Sequence, residues 1–297
     1  MHLSMHNWMR AEPIETTIRR LAACGYDSIE ISGEPDMYNT TDVRKLLRDN
    51  ALRCWGAVTL MIEGRDMVHA DERVRDASVR YVKDCVTMVK ELDGYQLSIV
   101  PSQVGKTQPM AGGDEEWAWA IEGLREVYEH SQREGVILAL EPINRFETYF
   151  LNRHDQALLL AESVGPDCGV CLDAFHINIE EADPFGAILA TGDKLVGFHV
   201  CDTNRMAPGQ GAYDWVRVLK TLKEIGYDGA LTIEFVAPID RTPANPYVLA
   251  QAGGDEEIPA EQLKFIEDHG GGALSDEFYT GLVEFSGKTL REALRQI

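Results

Sequence analysis

Residues 225–234 read IGYDGALTIE, and residues 24–32 read CGYDSIEIS. Both stretches follow one layout: the end of an amphipathic run, then Gly, Tyr and Asp, then a short apolar run. Gly226 and Gly25 suit a helix stop, because glycine enters the left-handed backbone region without a Cβ penalty. The residues that follow are largely aliphatic and β-branched, which suits a buried strand. Two helix-to-strand joints, one near each end of the chain, therefore use the same turn chemistry.

Working outward from these joints, short apolar runs alternate with amphipathic ones along all 297 residues. The strands expected are HLSMH (2–6), DSIEIS (27–32), RCWGAVTL (53–60), YQLSIVPS (95–102), VILALEPI (136–143), CGVCLDAFHI (168–177), LVGFHVCD (195–202) and ALTIEFV (230–236). Helical patterns separate them. Pro13 opens one helix and Gly25 follows its end; Thr40 or Thr41 caps the next. Asp71 to Leu92, Asp114 to Glu134, a helix opened by Asp183 and Pro184, Ala212 to Ile225 and Ser275 to Ile297 complete the set. Eight β-then-α units predict parallel strands, and eight is the number that closes a (β/α)8 TIM barrel. No Gly/Ser linker divides the chain, so residues 1–297 are expected to form a single barrel domain. Residues 237–274, rich in Pro, Gly and acidic side chains, break the rhythm after strand eight. Barrel active sites are built from the loops after strands, so this excursion is expected over the mouth as a lid or partner-binding element.

The formal charge of −21 argues against nucleic acid or an anionic membrane as partner. MHLSMHNWMRAEP lacks the apolar region of a signal peptide and no run reaches transmembrane length, so a cytoplasmic protein is expected. The six cysteines (24, 54, 85, 168, 171 and 201) fall mostly in the strands and helices and read as buried free thiols. Cys168 and Cys171 have C-x-x-C spacing, but three residues along a strand they point to opposite faces, which speaks against a redox or zinc pair.

Strands five to eight share one anomaly. Glu141, Asp173, His199 and Glu234 each interrupt an apolar run near the strand's C-terminal end. An ionisable group there is costly to bury unless something neutralises it. Their same-face neighbours are small: Ala139, Cys171, Gly197, and Thr232 with Ala230. Three carboxylates and one imidazole converging at the barrel mouth favour Mn, Mg or Co and do not exclude Zn. A second polar tier follows: Arg145 and Glu147 after strand five, His176 and Asn178 after strand six, and Asp202, Asn204 and Arg205 after strand seven. Arg145 taken alone suits a structural ion pair, and Glu180 with Glu181 a solvated helix start.

The stretches LALEPINRFE, LDAFHINIEE, GFHVCDTNRMAPGQG with Asp214 and Trp215, and IGYDGALTIE resemble the D-tagatose 3-epimerase/D-psicose 3-epimerase family of the xylose-isomerase-like barrels. The resemblance is dense from about residue 115 to 236 and at the level of fold before that. It implies that Glu141, Asp173, His199 and Glu234 bind Mn or a similar divalent cation. It implies further that Glu141 and Glu234 act as acid and base on opposite faces of a small carbohydrate, and that Glu147, His176 and Arg205 grip its oxygens. The chemistry suits a proton next to a carbonyl, whose removal creates an enediolate that a divalent cation stabilises as a Lewis acid. One carboxylate removes that proton and another returns one from the far face.

The first half departs from the family. Trp8, Glu30, Trp55, Gln103 and Lys106 are candidates for the mouth, with surface or packing roles as equal readings. A related family, the catalytic α subunits of C-glycoside deglycosidases, is the alternative. Its members act on 3-oxo-glucosides with a small β subunit, and proton abstraction leads there to loss of an aglycone. A homo-oligomer is implied by family analogy alone. A non-catalytic, metal-stabilised barrel ranks last, because Glu147, His176 and Arg205 are all present.

Overall fold

A computed structural model of the chain describes residues 1–10, 12–237 and 275–297. The 237–274 excursion, Ala237 apart, lies outside the described residues. Eight strands appear where the apolar runs stand: β1 His2–Met5, β2 Ser28–Gly33, β3 Arg53–Thr59, β4 Gln96–Ile99, β5 Ile137–Leu140, β6 Gly169–Asp173, β7 Leu195–Val200 and β8 Ala230–Ile233. All pair in parallel in the order β1-β8-β7-β6-β5-β4-β3-β2. Backbone bonds from Asp27 to Leu3 and from Asn7 to Glu30 bring β2 against β1, so the sheet is a near-closed (β/α)8 barrel.

The helices are α1 Ile14–Ala23, α2 Thr40–Asp49, α3 Glu72–Glu91, α4 Gly113–Glu134, α5 His154–Val164, α6 Ala174–Glu180, α7 Pro184–Thr191, α8 Trp215–Glu224 and, beyond the undescribed stretch, α9 Asp276–Leu294. Most elements are a few residues shorter than the sequence reading, and three boundaries shift for a visible reason. The run taken as strand six stops at Asp173, and AFHI opens α6. Asn39, not a threonine, caps α2 by accepting from the Asp42 N–H, while the Thr40 hydroxyl bonds Glu91. α8 begins at Trp215, three residues late, because the amides of Ala212 and Tyr213 are held by Thr203 and Asp202.

Strand periodicity sorts the core. Leu3, Ile29, Leu97, Leu138, Leu172 and Phe198 belong to the continuous apolar core and are essentially inaccessible. Burying each such side chain stabilises by about 1.5–3 kcal/mol. Alternate positions are small or polar: Ser4, Glu30, Gln96, Ser98, Ala139, Cys171, Gly197 and Thr232, all buried. A Cβ on Gly197 would stand 2.9 Å from Cys171 Sγ and 3.1 Å from Gln96 Oε1. The inward residues fill the barrel with polar atoms and leave no room for another side chain there.

The paired joints meet at one strand. Gly25 and Gly226 adopt φ of 74° and 79°. Asp27 Oδ2 then accepts from the Leu3 N–H at 2.9 Å, and Asp228 pairs with the terminal amine of Met1. Since β1 lies between β2 and β8, the same Gly-Tyr-Asp turn holds it from both sides. The tyrosine hydroxyls donate to the Val283 carbonyl on α9 (Tyr26, 2.9 Å) and to the Ala230 carbonyl (Tyr227, 2.6 Å).

Candidate metal centre and substrate site

Asp173 ends β6, His199 lies in β7 directly opposite it in register, and Glu141 and Glu234 follow the last residues of β5 and β8. One ligand atom from each lies within 4.8 Å of the other three. His199 Nδ1 is 3.0 Å from Glu141 Oε1 and 3.0 Å from Glu234 Oε2. The remaining oxygens are fixed from outside. Ser98 Oγ donates to Glu141 Oε2 at 2.8 Å, and Arg205 Nη2 donates to Glu234 Oε1 at 2.6 Å. Asp173 Oδ1 accepts the Phe175 and His176 N–H groups, capping α6, while Oδ2 faces Arg205 Nη1 at 3.5 Å.

Charge explains what such a cluster needs. Burial, and then the neighbouring Glu234 and Glu141, push the Asp173 carboxyl up to about 8 against the pull of Arg205 and His199. Burial works the same way on Glu234, but Arg205, His199 and His6 hold it well below the usual range. Burial disfavours a charged His199, yet Cys171, Glu141 and Glu30 together lift its imidazole well above the usual value. With all three carboxylates ionised, their charge exceeds that of Arg205, which pairs with Asp173 and Glu234, by two. Three carboxylate ligands and one imidazole, whose Nδ1 faces two of the carboxylates, offer what a divalent cation binds. The donor set fits such a cation.

Beside the cluster, the Asn144 backbone N–H and side-chain amide both reach His176 Nδ1, at 3.2 and 2.9 Å. A backbone N–H can only donate, so Nδ1 accepts and the ring proton sits on Nε2. Burial, with the Arg205 charge, keeps this imidazole well below its usual value, hence neutral. Arg205 Nη1 stands 3.3 Å from His176 Nε2. With the ring proton on Nε2 both are donors, and an oxygen of a bound molecule lying beside the pair would accept from each.

Arg205 reaches in from a non-glycine residue at φ 63°. The loop tolerates this because Asp202 organises it: its two oxygens accept from the amides of Thr203, Gly209 and Tyr213 and from the Trp215 indole. Half-buried Glu147 accepts from the Asn144 side chain at 2.7 Å.

Several residues of the second tier do other things. Asp202 and Asn204 serve the loop itself, and Arg145 makes a two-pronged pair with Glu180. Glu180 and Glu181 close α6 rather than open a helix, and Glu181 holds His154. Trp55 packs on His2 and Tyr95 at the opposite end of the barrel, and Lys106 pairs with buried Asp66. Trp8 is at the mouth, its ring 5.6 Å from that of His6. Cys171 lies inside the barrel beside Glu141 and His199, and all six thiols are free and buried.

The sequence reading passed over His6, whose Nε2 is 3.4 Å from Glu234 Oε2, and the supporting Ser98 and Gln96. His6 carried the signal used elsewhere, an ionisable residue closing an apolar strand. Glu30, a candidate for the mouth with surface or packing roles as equal readings, is fully buried beside His199.

Residues 18–269 match the family model described as a xylose isomerase-like TIM barrel. L-ribulose 3-epimerase of Mesorhizobium japonicum is 30% identical over 223 residues, which cover 74% of this chain and 75% of that protein. A solved structure of an L-ribulose 3-epimerase superposes with a TM-score of 0.82 at 24% identity, covering 99% and 96% of the two chains. D-psicose 3-epimerase from Clostridium cellulolyticum H10, solved with D-tagatose, gives 0.76 at 23% identity over 98% and 99%. The chain belongs to the xylose-isomerase-like TIM-barrel family, in its sugar isomerase/epimerase branch with ketose 3-epimerase relatives. It carries a buried Glu/Asp/His cluster consistent with a divalent cation. Among the described residues no helix is long and apolar enough to cross a membrane.

Proposed function

We propose that the protein is a divalent-metal-dependent sugar epimerase, and that its reaction is interconversion of ketoses at C3. The observation that carries this reading is the placement of Glu141 and Glu234, each 3.0 Å from His199 Nδ1, with Asp173 completing the cluster. Glu141, Asp173, His199 and Glu234 would hold the cation, Mn²⁺ before Co²⁺ or Mg²⁺. When bound, it supplies Lewis-acid polarisation of the substrate carbonyl.

The chain's own residues do the rest. Glu141 and Glu234 approach from strands on different sides of His199 and flank the space where C3 of a ketose would stand. One takes the C3 proton and the other delivers a proton to the opposite face, inverting that carbon. Ser98 steadies Glu141 and Arg205 steadies Glu234, so each carboxylate keeps one oxygen oriented. His176, neutral and with its proton on Nε2, donates to a substrate oxygen, and Arg205 and Glu147 bind its neighbours. The ketose 3-epimerase relatives support the substrate class.

The test is incubation of chelator-stripped protein with D-fructose or D-psicose in deuterated water, with and without Mn²⁺. Metal-dependent interconversion with deuterium at C3 is expected. Silence there, with an aglycone released from a 3-oxo-C-glucoside once a small partner subunit is supplied, would replace this reading with the eliminating one.

A further inference from the structure

Glu30 is a fully buried carboxylate that none of the steps above uses. It stands inside β2, in register with Gly56, and its Oε1 accepts from Gln96 Nε2 at 3.1 Å. The same oxygen lies 3.5 Å from His199 Nε2, while His199 Nδ1 faces Glu141 and Glu234. An imidazole offers a lone pair to a cation only from a nitrogen without a proton. If Nδ1 is the ligand, the ring proton must sit on Nε2, buried and in need of an acceptor.

Two groups compete for that proton. Cys171 also lies against His199 in the barrel, but a thiol sulfur is only a weak acceptor. A carboxylate accepts far more strongly. The surroundings also hold Glu30 in place. A Cβ on Gly56 would lie 2.1 Å from the Gln96 carbonyl oxygen, and one on Gly197 3.1 Å from Gln96 Oε1. Two glycines thus make room for the glutamine that grips the carboxylate.

We propose that Glu30 is a positioning residue: held by Gln96, it takes the Nε2–H of His199, fixes that tautomer and ring angle, and so presents Nδ1 to the cation. The inference rests on the reading of His199 as a cation ligand. The experiment is calorimetric titration of chelator-stripped wild type, Glu30→Gln, Glu30→Ala and Cys171→Ala with Mn²⁺ and Co²⁺. Carboxylates that orient a ligating histidine set metal affinity by 10–100-fold, so about 10-fold weakening is expected for Glu30→Gln, about 100-fold for Glu30→Ala and under about threefold for Cys171→Ala. Glu30→Gln keeps the side-chain volume, and its metal-free melting temperature separates lost affinity from lost folding. In a ¹⁵N spectrum of the Mg²⁺-loaded protein, the protected Nε2–H of His199 should appear in wild type and vanish in Glu30→Ala. Affinities of both Glu30 variants equal to wild type would overturn the proposal. So would a loss in Cys171→Ala that matches Glu30→Ala while Glu30→Gln binds normally. A wild-type chain that takes up neither cation sinks the metal reading itself, and this inference with it.

Discussion

β5 to β8 carry Glu141, Asp173, His199 and Glu234 at or near their C-terminal ends, whereas β1 to β4 hold Ser4, Glu30, Gln96 and Ser98 deeper in the barrel. His6, just beyond β1, is the exception. Depth changes what the same chemistry can do. At the rim the side chains converge on a shared point and still meet whatever enters the mouth. Deeper down they meet each other: Gln96 bonds Glu30, Glu30 faces His199, and Ser98 reaches up to Glu141. The two half-barrels differ less in composition than in the height at which polar groups are set.

The sharpest way to break this contrast is to neutralise one rim carboxylate. Glu141→Gln and Glu234→Gln should each lower ketose epimerisation by about 10²–10⁴-fold, the usual worth of a positioned acid or base. A drop of that size from Gln96→Leu, measured with saturating Mn²⁺, would show that depth does not divide the labour.

The next test separates two rim histidines. His199→Ala should lose most bound metal by elemental analysis. His176→Ala should keep metal occupancy near wild type and lose about 10²-fold in kcat/KM, about 2.7 kcal/mol of transition-state stabilisation. Equal metal loss in both variants would mean the roles are reversed.

Smaller again is the effect of Asp202. Burial works to raise its carboxyl, but the Tyr213, Gly209 and Thr203 amides and the Trp215 indole hold it below the ordinary range. Its stabilisation is therefore complete above the unfolded value near pH 3.9, and is lost as the pH falls through the lower folded value. An amide at this position leaves two of the four donors without an acceptor, so Asp202→Asn should cost about 1–3 kcal/mol at pH 7. In thermal melts the gap to wild type should start to narrow as the pH falls below about 3.9 and keep narrowing on further acidification; a gap that does not change with pH would assign it to packing. Smallest of all, Trp55→Phe at the far end of the barrel should leave kcat unchanged, and any measurable loss would extend the working region beyond the mouth.

The barrel was legible in the sequence because both signals it uses are local: strand-length apolar runs and the Gly-Tyr-Asp stop. The four clustered rim residues were legible for a related reason, since an ionisable group among aliphatic neighbours is conspicuous in one dimension. Side-chain partnership was not. Glu30 interrupts its strand as plainly as Glu234 does, yet nothing local says that its partner is His199 on a strand far along the chain. The end of β6 was misread because Asp173 can close a strand and cap a helix at once, and apolar AFHI fits either period. Asp202 and Asn204 stood in the same polar tier as Arg205 in the sequence, because a loop that organises itself and a loop that binds a ligand draw on the same residue types.

Asp173 has a consequence for how the protein can be watched. Its Oδ1 holds the amide hydrogens of Phe175 and His176 while its other oxygen looks into the cluster. Any event that draws this carboxylate tighter or lets it turn must alter how well those two hydrogens are shielded from solvent. Deuterium uptake at the start of α6 is then a built-in gauge of site occupancy. It needs no substrate, dye or catalytic turnover, and one of the two amides belongs to His176 itself.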